Sequence, residues 1–221
     1  MKAFALRLLA FCASTLAVIV LAAAFTPPKT EAFMFASRTS EHDTYRRIPA
    51  FREWALKGGP EVLVLGASTG QIGIDPSAFE AIGHPTFNLS SAMQTMEVSE
   101  VLLEWSLSLG AKHKAVLLDV YPKVWSRSSL ASTNDLMVNR PTPLEWPFQK
   151  LALRSGNLKT LLNALYFHFR DQLQTPHVWS AQPHGFHRGH THAAYEVLPA
   201  KDFNPKVFQF NDDNLKAFKR L

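Results

Sequence analysis

Cysteine is nearly missing from this chain: Cys12 is the only one in 221 residues. No pair exists to close a disulfide, so any folded part must be held by its core alone. Concentrated charge is missing too. The 23 lysines and arginines leave a net charge of +5, but they are dispersed, in pairs such as Arg46-Arg47 and Lys219-Arg220. A groove for nucleic acid needs a basic stripe or patch, so no nucleic-acid partner is expected. The chain has no internal repeat, and none of its aspartates is followed three residues later by a histidine. What is present is the composition of a folded chain, 47% apolar and 19% charged, long enough for one domain with a real core.

The first 25 residues stand apart. Lys2 and Arg7 precede an uncharged apolar run from Leu8 to Phe25, close to the roughly 20 residues that span a bilayer as a helix. The favoured reading is an uncleaved single-pass anchor. A cleaved signal peptide stays open, because Ala22-Ala23-Ala24 offers small residues at a plausible cleavage site, and a buried helix of a soluble fold is the third reading. In either of the first two the positive flank precedes the apolar run, which places the remainder outside the cytoplasm, periplasmic if anchored and secreted if cleaved. Cys12 lies within the run after Phe11 and reads as an apolar helix residue.

Residues 26–42 read as a linker, and residues 43–221 as the domain. Ile48, Phe51, Trp54 and Ala55 recur at helical spacing, and Gly58-Gly59-Pro60 stops that helix. Glu61 to Gly66, EVLVLG, is a short apolar run of the kind buried on both faces of a sheet. Thr86 to Ser90 is a weaker strand, and Ala115 to Tyr121 another buried one. Between them Val98, Val101, Leu102, Trp105 and Leu109 trace an amphipathic helix closed by Gly110. This alternation predicts an α/β domain with a parallel sheet covered by helices. Residues 125–147 read as an irregular excursion. Leu158, Leu161, Leu162, Leu165, Phe169 and Leu173 then form the stripe of a second long helix. A last helix starts at Asn211, with Asp212 and Asp213 in its first turn and Leu215, Phe218 and Leu221 as its stripe. Only three strands are convincing, and the chain stops in a helix. The expectation is the N-terminal portion of a longer domain; the alternative is a small fold finished by a docked helix.

The functional question centres on Glu61 to Pro76, EVLVLGASTGQIGIDP. As a dinucleotide turn it resembles the start of short-chain dehydrogenases, but Gly66, Gly70 and Gly73 are spaced four then three, which fits neither of the spacings such turns use. No acidic residue ends the second strand to hold a ribose, and Asp75-Pro76 falls where the helix should be running. As a nucleophile turn it fits better. The block V-L-G-A-S-T-x-x-x-G-I-D-P, followed by F-N-L-S and then A-V-L-L-D, resembles the SGNH (GDSL-like) hydrolase superfamily, most of all its membrane-anchored bacterial branch. The resemblance covers residues 44–125. It implies a three-layer, flavodoxin-like parallel sheet, incomplete in this chain, and ester chemistry with Ser68 as nucleophile. A serine just past a buried strand sits at the carboxyl edge of the sheet, where open α/β folds form their crevices. Gly66, Asn88, Met93 and Asp119 are the candidate pocket residues.

The chain departs from the superfamily in three places. Met93 stands at the glycine position of the second block. Leu118-Asp119-Val120-Tyr121 replaces Gly-x-Asn-Asp, and the Asp-x-x-His motif that supplies the base is missing. A serine hydroxyl is a weak nucleophile until a base takes its proton, so a complete triad is not expected here. His177, His184, His187, His190 and His192 cluster on one stretch. Zinc binding, a base for Ser68, a pH-responsive loop and a solvated polar loop are all open for it; the last is favoured, because no recognised zinc spacing occurs. No metal and no cofactor are expected. The resemblance thus implies an exported, membrane-anchored protein acting on acyl or acetyl esters of cell-envelope carbohydrate. The alternative is a non-catalytic envelope protein that uses the scaffold to bind a partner or glycan.

Overall fold

The structure, a computed structural model, describes residues 2–27, 43–92, 94–120, 133, 136, 146–173 and 212–221. Met93, the histidine-rich stretch 177–192, Asn211, most of the linker and most of the 125–147 excursion lie outside the described residues.

Three parallel strands form the sheet: β1 (Val62–Leu65), β2 (Thr86–Asn88) and β3 (Ala115–Leu118), in the order β2-β1-β3. Val62 pairs with Thr86 on one side and Ala115 on the other, and the register runs on to Leu65 opposite Leu118. All four residues of β1 are buried, as a central strand of branched apolar residues requires. The chain leaves β1 for β2 and then crosses back over to β3. The strand order therefore reverses beside β1, and a crevice forms at such a point outside the carboxyl ends.

The continuous apolar run of β3 predicts burial on both faces, and here the structure differs. Ala115 and Val116 are exposed and Leu117 and Leu118 only half-buried. Edge position alone is not the cause, because β2 is also at an edge among the described strands and is fully buried.

Helix α1 (Lys2–Phe25) is the long apolar segment and is suited by length and composition to cross a membrane. Helix α2 (Asp43–Ala55) follows, then α3 (Ser68–Gly73) and α4 (Pro76–Glu80) between β1 and β2. Pro76 does start a new helix, at its first position, with the Asp75 carboxylate accepting from Ser77 N at 2.9 Å. Helix α5 (Met96–Ser108) links β2 to β3, and α6 (Trp146–Ser155), α7 (Leu158–Leu173) and α8 (Asp212–Arg220) follow.

The core sits between the sheet and α2, α5 and α6. Phe51 meets Phe87 at 5.2 Å and Trp105 at 5.5 Å between ring centres, and Trp105 meets Phe148 at 5.3 Å. These rings join α2, β2, α5 and α6 into one body, each buried ring contributing about 1.5–3 kcal/mol. Ile48, Ala55, Val98, Val101 and Leu102 are buried as their helical spacing predicts.

Two helices differ from expectation in the face they bury. Among the α8 side chains that are described, Ala217 is buried, while Phe218 and, just past the helix, Leu221 stay exposed. The helix is held to α5 through the Glu100 carboxylate, which accepts from Arg220 Nε, from Arg220 Nη2 at 2.7 Å and from Arg154 of α6 at 3.2 Å. Burial pushes the Glu100 carboxyl up. The Arg220 hydrogen bond and the charges of Arg220 and Arg154 outweigh that and hold it below its ordinary range. In α7 the buried residues are Thr160, Ala164, Phe167 and Arg170, whereas Leu158, Leu165 and Leu173 of the leucine stripe are exposed. The helix forms as predicted, but only Leu161, Leu162 and Phe169 of its stripe are half-buried, and Leu161 alone among them packs against the core.

Candidate functional site

The carboxyl edge of the sheet gathers the end of β1, the start of α3, the end of β2 and the end of β3. Gly66 leaves β1 with φ +147°, a conformation that favours glycine. A Cβ there would lie 2.4 Å from the Cβ of Asp119, which follows β3. Gly70, one turn on, is constrained in the same way, by Asp119 Cβ and by Ser90 Oγ, each 2.9 Å from the place of its missing Cβ. The two glycines are thus needed for close approach of the neighbouring strand ends. No phosphate-binding role is required to explain them.

Asp119 fills the space they leave. Its Oδ2 accepts from Gly70 N at 2.9 Å, from Ala67 N at 3.2 Å and from the Thr69 hydroxyl. A carboxylate from β3 therefore caps the first turn of α3 and ties together two segments about fifty positions apart in sequence. Its negative charge stands where a phosphate would have to approach, which turns the geometry against the dinucleotide reading.

Ser68 occupies the first position of α3 and is half-buried. Among the described residues no side chain hydrogen-bonds its hydroxyl. Asn88, by contrast, is fully buried and committed. Its Nδ2 donates to Gly70 O at 2.8 Å and Ile74 O at 2.9 Å, and its Oδ1 accepts from Ser90 N at 2.9 Å. Both amide hydrogens are spent on backbone carbonyls, so Asn88 anchors α3 and the turn beyond it to β2. The structure thus brings Ser68, Gly66, Asn88 and Asp119 to one edge, with Asn88 and Asp119 both engaged in building the turn that carries Ser68.

Two residues at this edge have no warning in the sequence beyond their names. Arg47, of the Arg46-Arg47 pair, is 5% exposed, and its Nη1 donates to Asn88 O at 3.1 Å and to Ser90 O. A guanidinium from α2 therefore binds the carbonyls at the end of β2. Ser90 Oγ is buried beside Gly70 without a hydrogen-bond partner, a condition that costs about 1–3 kcal/mol. Next to it, Ser91 donates to Gln94 Oε1 at 2.9 Å and Gln94 Nε2 donates to Ser99 Oγ at 3.0 Å, which orders the entry to α5.

The opposite, amino edge holds a serine–histidine contact that the sequence does not signal. Ser106 Oγ and His113 Nε2 are hydrogen-bonded, and His113 Nδ1 donates to Pro60 O at 2.7 Å. The carbonyl accepts, so the proton belongs on Nδ1 and Nε2 receives the Ser106 hydroxyl. Burial lowers the His113 pKa from its ordinary value, with the Pro60 hydrogen bond acting in the other direction. Ser106 is 0% exposed, so no substrate can meet it, and the pair serves to lock the loop before β1 to the end of α5. Glu61 is nearby at this edge, with Lys114 at 2.6 Å and His84 at 3.1 Å. Their hydrogen bonds hold its carboxyl below the ordinary range. The described histidines that make hydrogen bonds, His84 and His113, are thus at the far edge from Ser68.

Among the described residues no three of His, Cys, Asp and Glu come together as metal ligands would. No family model, curated protein or solved structure matches the chain.

Proposed function

We propose that the chain is an exported, membrane-anchored protein with an SGNH-hydrolase-like α/β domain, without a complete triad in this chain, in which Ser68 is the nucleophile toward acyl or acetyl esters, with cell-envelope carbohydrate as the substrate class. One observation carries this reading: Ser68 opens the helix that directly follows the central strand, at the carboxyl edge where the strand order reverses. There its hydroxyl is unspent and half-exposed, and its own N–H lies in the first turn of a helix, where a developing oxyanion gains most from a donor. The flavodoxin-like topology fits the observed order β2-β1-β3. The N-terminal helix supplies the anchor, with the domain on the periplasmic side.

A second reading has its own observation. Asp119 already accepts from Ala67 N and Gly70 N, so a carboxylate stands near the place where negative charge would develop. That favours a scaffold that binds a partner or glycan without cleaving it. The two separate in one experiment. A fluorophosphonate probe labels a serine only where a base activates it, and p-nitrophenyl acetate turnover reports the same chemistry. Labelling and turnover that disappear in Ser68→Ala establish the esterase. Equal turnover in both proteins, with no labelling, leaves the binding scaffold.

A further inference from the structure

Part of the leucine stripe of α7 faces outward, while Leu161 packs against the core and Leu162 and Phe169 are half-buried. Leu158, Leu165 and Leu173 are 68%, 38% and 54% exposed, and Leu153 at the end of α6 is 66% exposed. Meanwhile Thr160, Ala164, Phe167 and Arg170, at i, i+4, i+7 and i+10, take the buried face. In water this is the wrong way round, since a surface helix gains by turning its apolar stripe to the core.

What lies beside the stripe makes sense of it. Helix α7 packs along α1. On α1 the residues that lose exposure, Thr15, Ile19, Val20 and Ala23, share one face of the helix's second half, and Thr26 just past its end is half-buried too. The rest of α1 stays bare, with Val18 65%, Leu21 56% and Phe25 78% exposed. Arg170, 2% exposed, donates from Nη1 to Ala23 O at 2.7 Å. That bond satisfies a carbonyl in the last turn of α1, where a cation is also favoured by the helix dipole. It fixes α7 to the carboxyl end of α1.

We infer that α7, with the end of α6, is a second membrane-contacting element, whose outward leucines Leu158, Leu165 and Leu173 lie in the boundary between headgroups and acyl chains while its buried face meets α1 and, at Ala164, the domain core. The inference rests on the reading of α1 as an anchor. The partner surface is phospholipid bilayer, because only an apolar medium rewards both outward-facing surfaces at once.

The test uses the full chain carrying Cys12→Ala, with single cysteines at Leu165 and Leu173 and a control at Lys57, which is exposed beyond α2. Each is labelled with an environment-sensitive NBD dye in phosphatidylethanolamine–phosphatidylglycerol vesicles containing lipid with a nitroxide at acyl carbon 5. The expected result is loss of about half the emission at 165 and 173 and almost none at 57, as for a stripe sunk about 5–10 Å into the interface. Protein that resists alkaline extraction, yet is no more quenched at 165 and 173 than at 57, overturns the inference and leaves the anchor standing. Protein released by alkali removes the anchor reading itself.

Discussion

The two edges of the sheet are built from similar parts and end in different states. Each has a positive-φ glycine that lets a neighbouring segment approach: Gly66 for Asp119 and Gly59 for Ala111, whose Cβ atoms lie 2.4 Å and 2.6 Å from the missing ones. Each also has a serine near the sheet. At the amino edge the serine is buried and its hydroxyl is spent on His113. At the carboxyl edge Ser68 is half-buried and its hydroxyl is unspent. A serine–histidine contact alone would therefore point to the wrong edge. What marks a site is the combination of access, unspent hydrogen-bonding capacity and position at the carboxyl ends of parallel strands.

That comparison is broken most sharply at Gly66. Gly66→Ala forces a Cβ onto Asp119 at a backbone angle that strains any L residue, and is expected to cost about 3 kcal/mol or more in a urea unfolding titration. An unchanged midpoint would mean that Asp119 does not pack into this space. The next effect is expected at Asp119 itself. Asp119→Ala strands the donors at Ala67, Thr69 and Gly70, with a loss of about 1–3 kcal/mol, while Asp119→Asn retains an acceptor and is expected to lose less. Equal losses in the two variants would show that the capping bonds contribute nothing.

The smallest effect belongs to the amino edge and appears as pH dependence. The folded-state pKa of His113 is lowered from the ordinary 6.5, so the unfolded chain binds the proton more readily. Stability from this group is full above pH about 6.5 and is lost as pH falls from there toward the folded pKa. His113→Gln is expected to flatten that part of the stability–pH curve and to leave any Ser68-dependent chemistry unchanged. A curve of the same slope in wild type and variant would show that the pair does not hold the histidine neutral.

Much of the layout was legible before any coordinates. EVLVLG, TFNLS and AVLLDVY contain the three strands, and the stripes of α2 and α5 name residues that are in the core. The reason is that period and length respond directly to burial on one face or two. Other features were not legible, because they depend on what lies across a gap. A continuous apolar run says that a strand avoids water, and nothing in it told that β3 would stay partly exposed while β2, at the other edge of the described sheet, is buried. A leucine stripe says that six residues share a face of α7, and nothing in that spacing says whether protein or lipid meets it. Asp119 reads as a candidate pocket residue; its role as the cap of α3 needs the register of β1 against β3. Arg47 looks like half of a surface pair, yet it is buried on the carbonyls of Asn88 and Ser90.

The bond from Arg170 to Ala23 joins residues 147 positions apart. Synthesis runs from the amino end, so α1 emerges long before its partner helix has been made. The sheet and its aromatic core close over much shorter separations, and they form without waiting for α7. Closing a loop this long costs entropy that is recovered only at the moment of docking. The hold on α1 is thus a late event in the life of each molecule: the domain first becomes an independent body on a tether, and only afterwards acquires a fixed attitude to it.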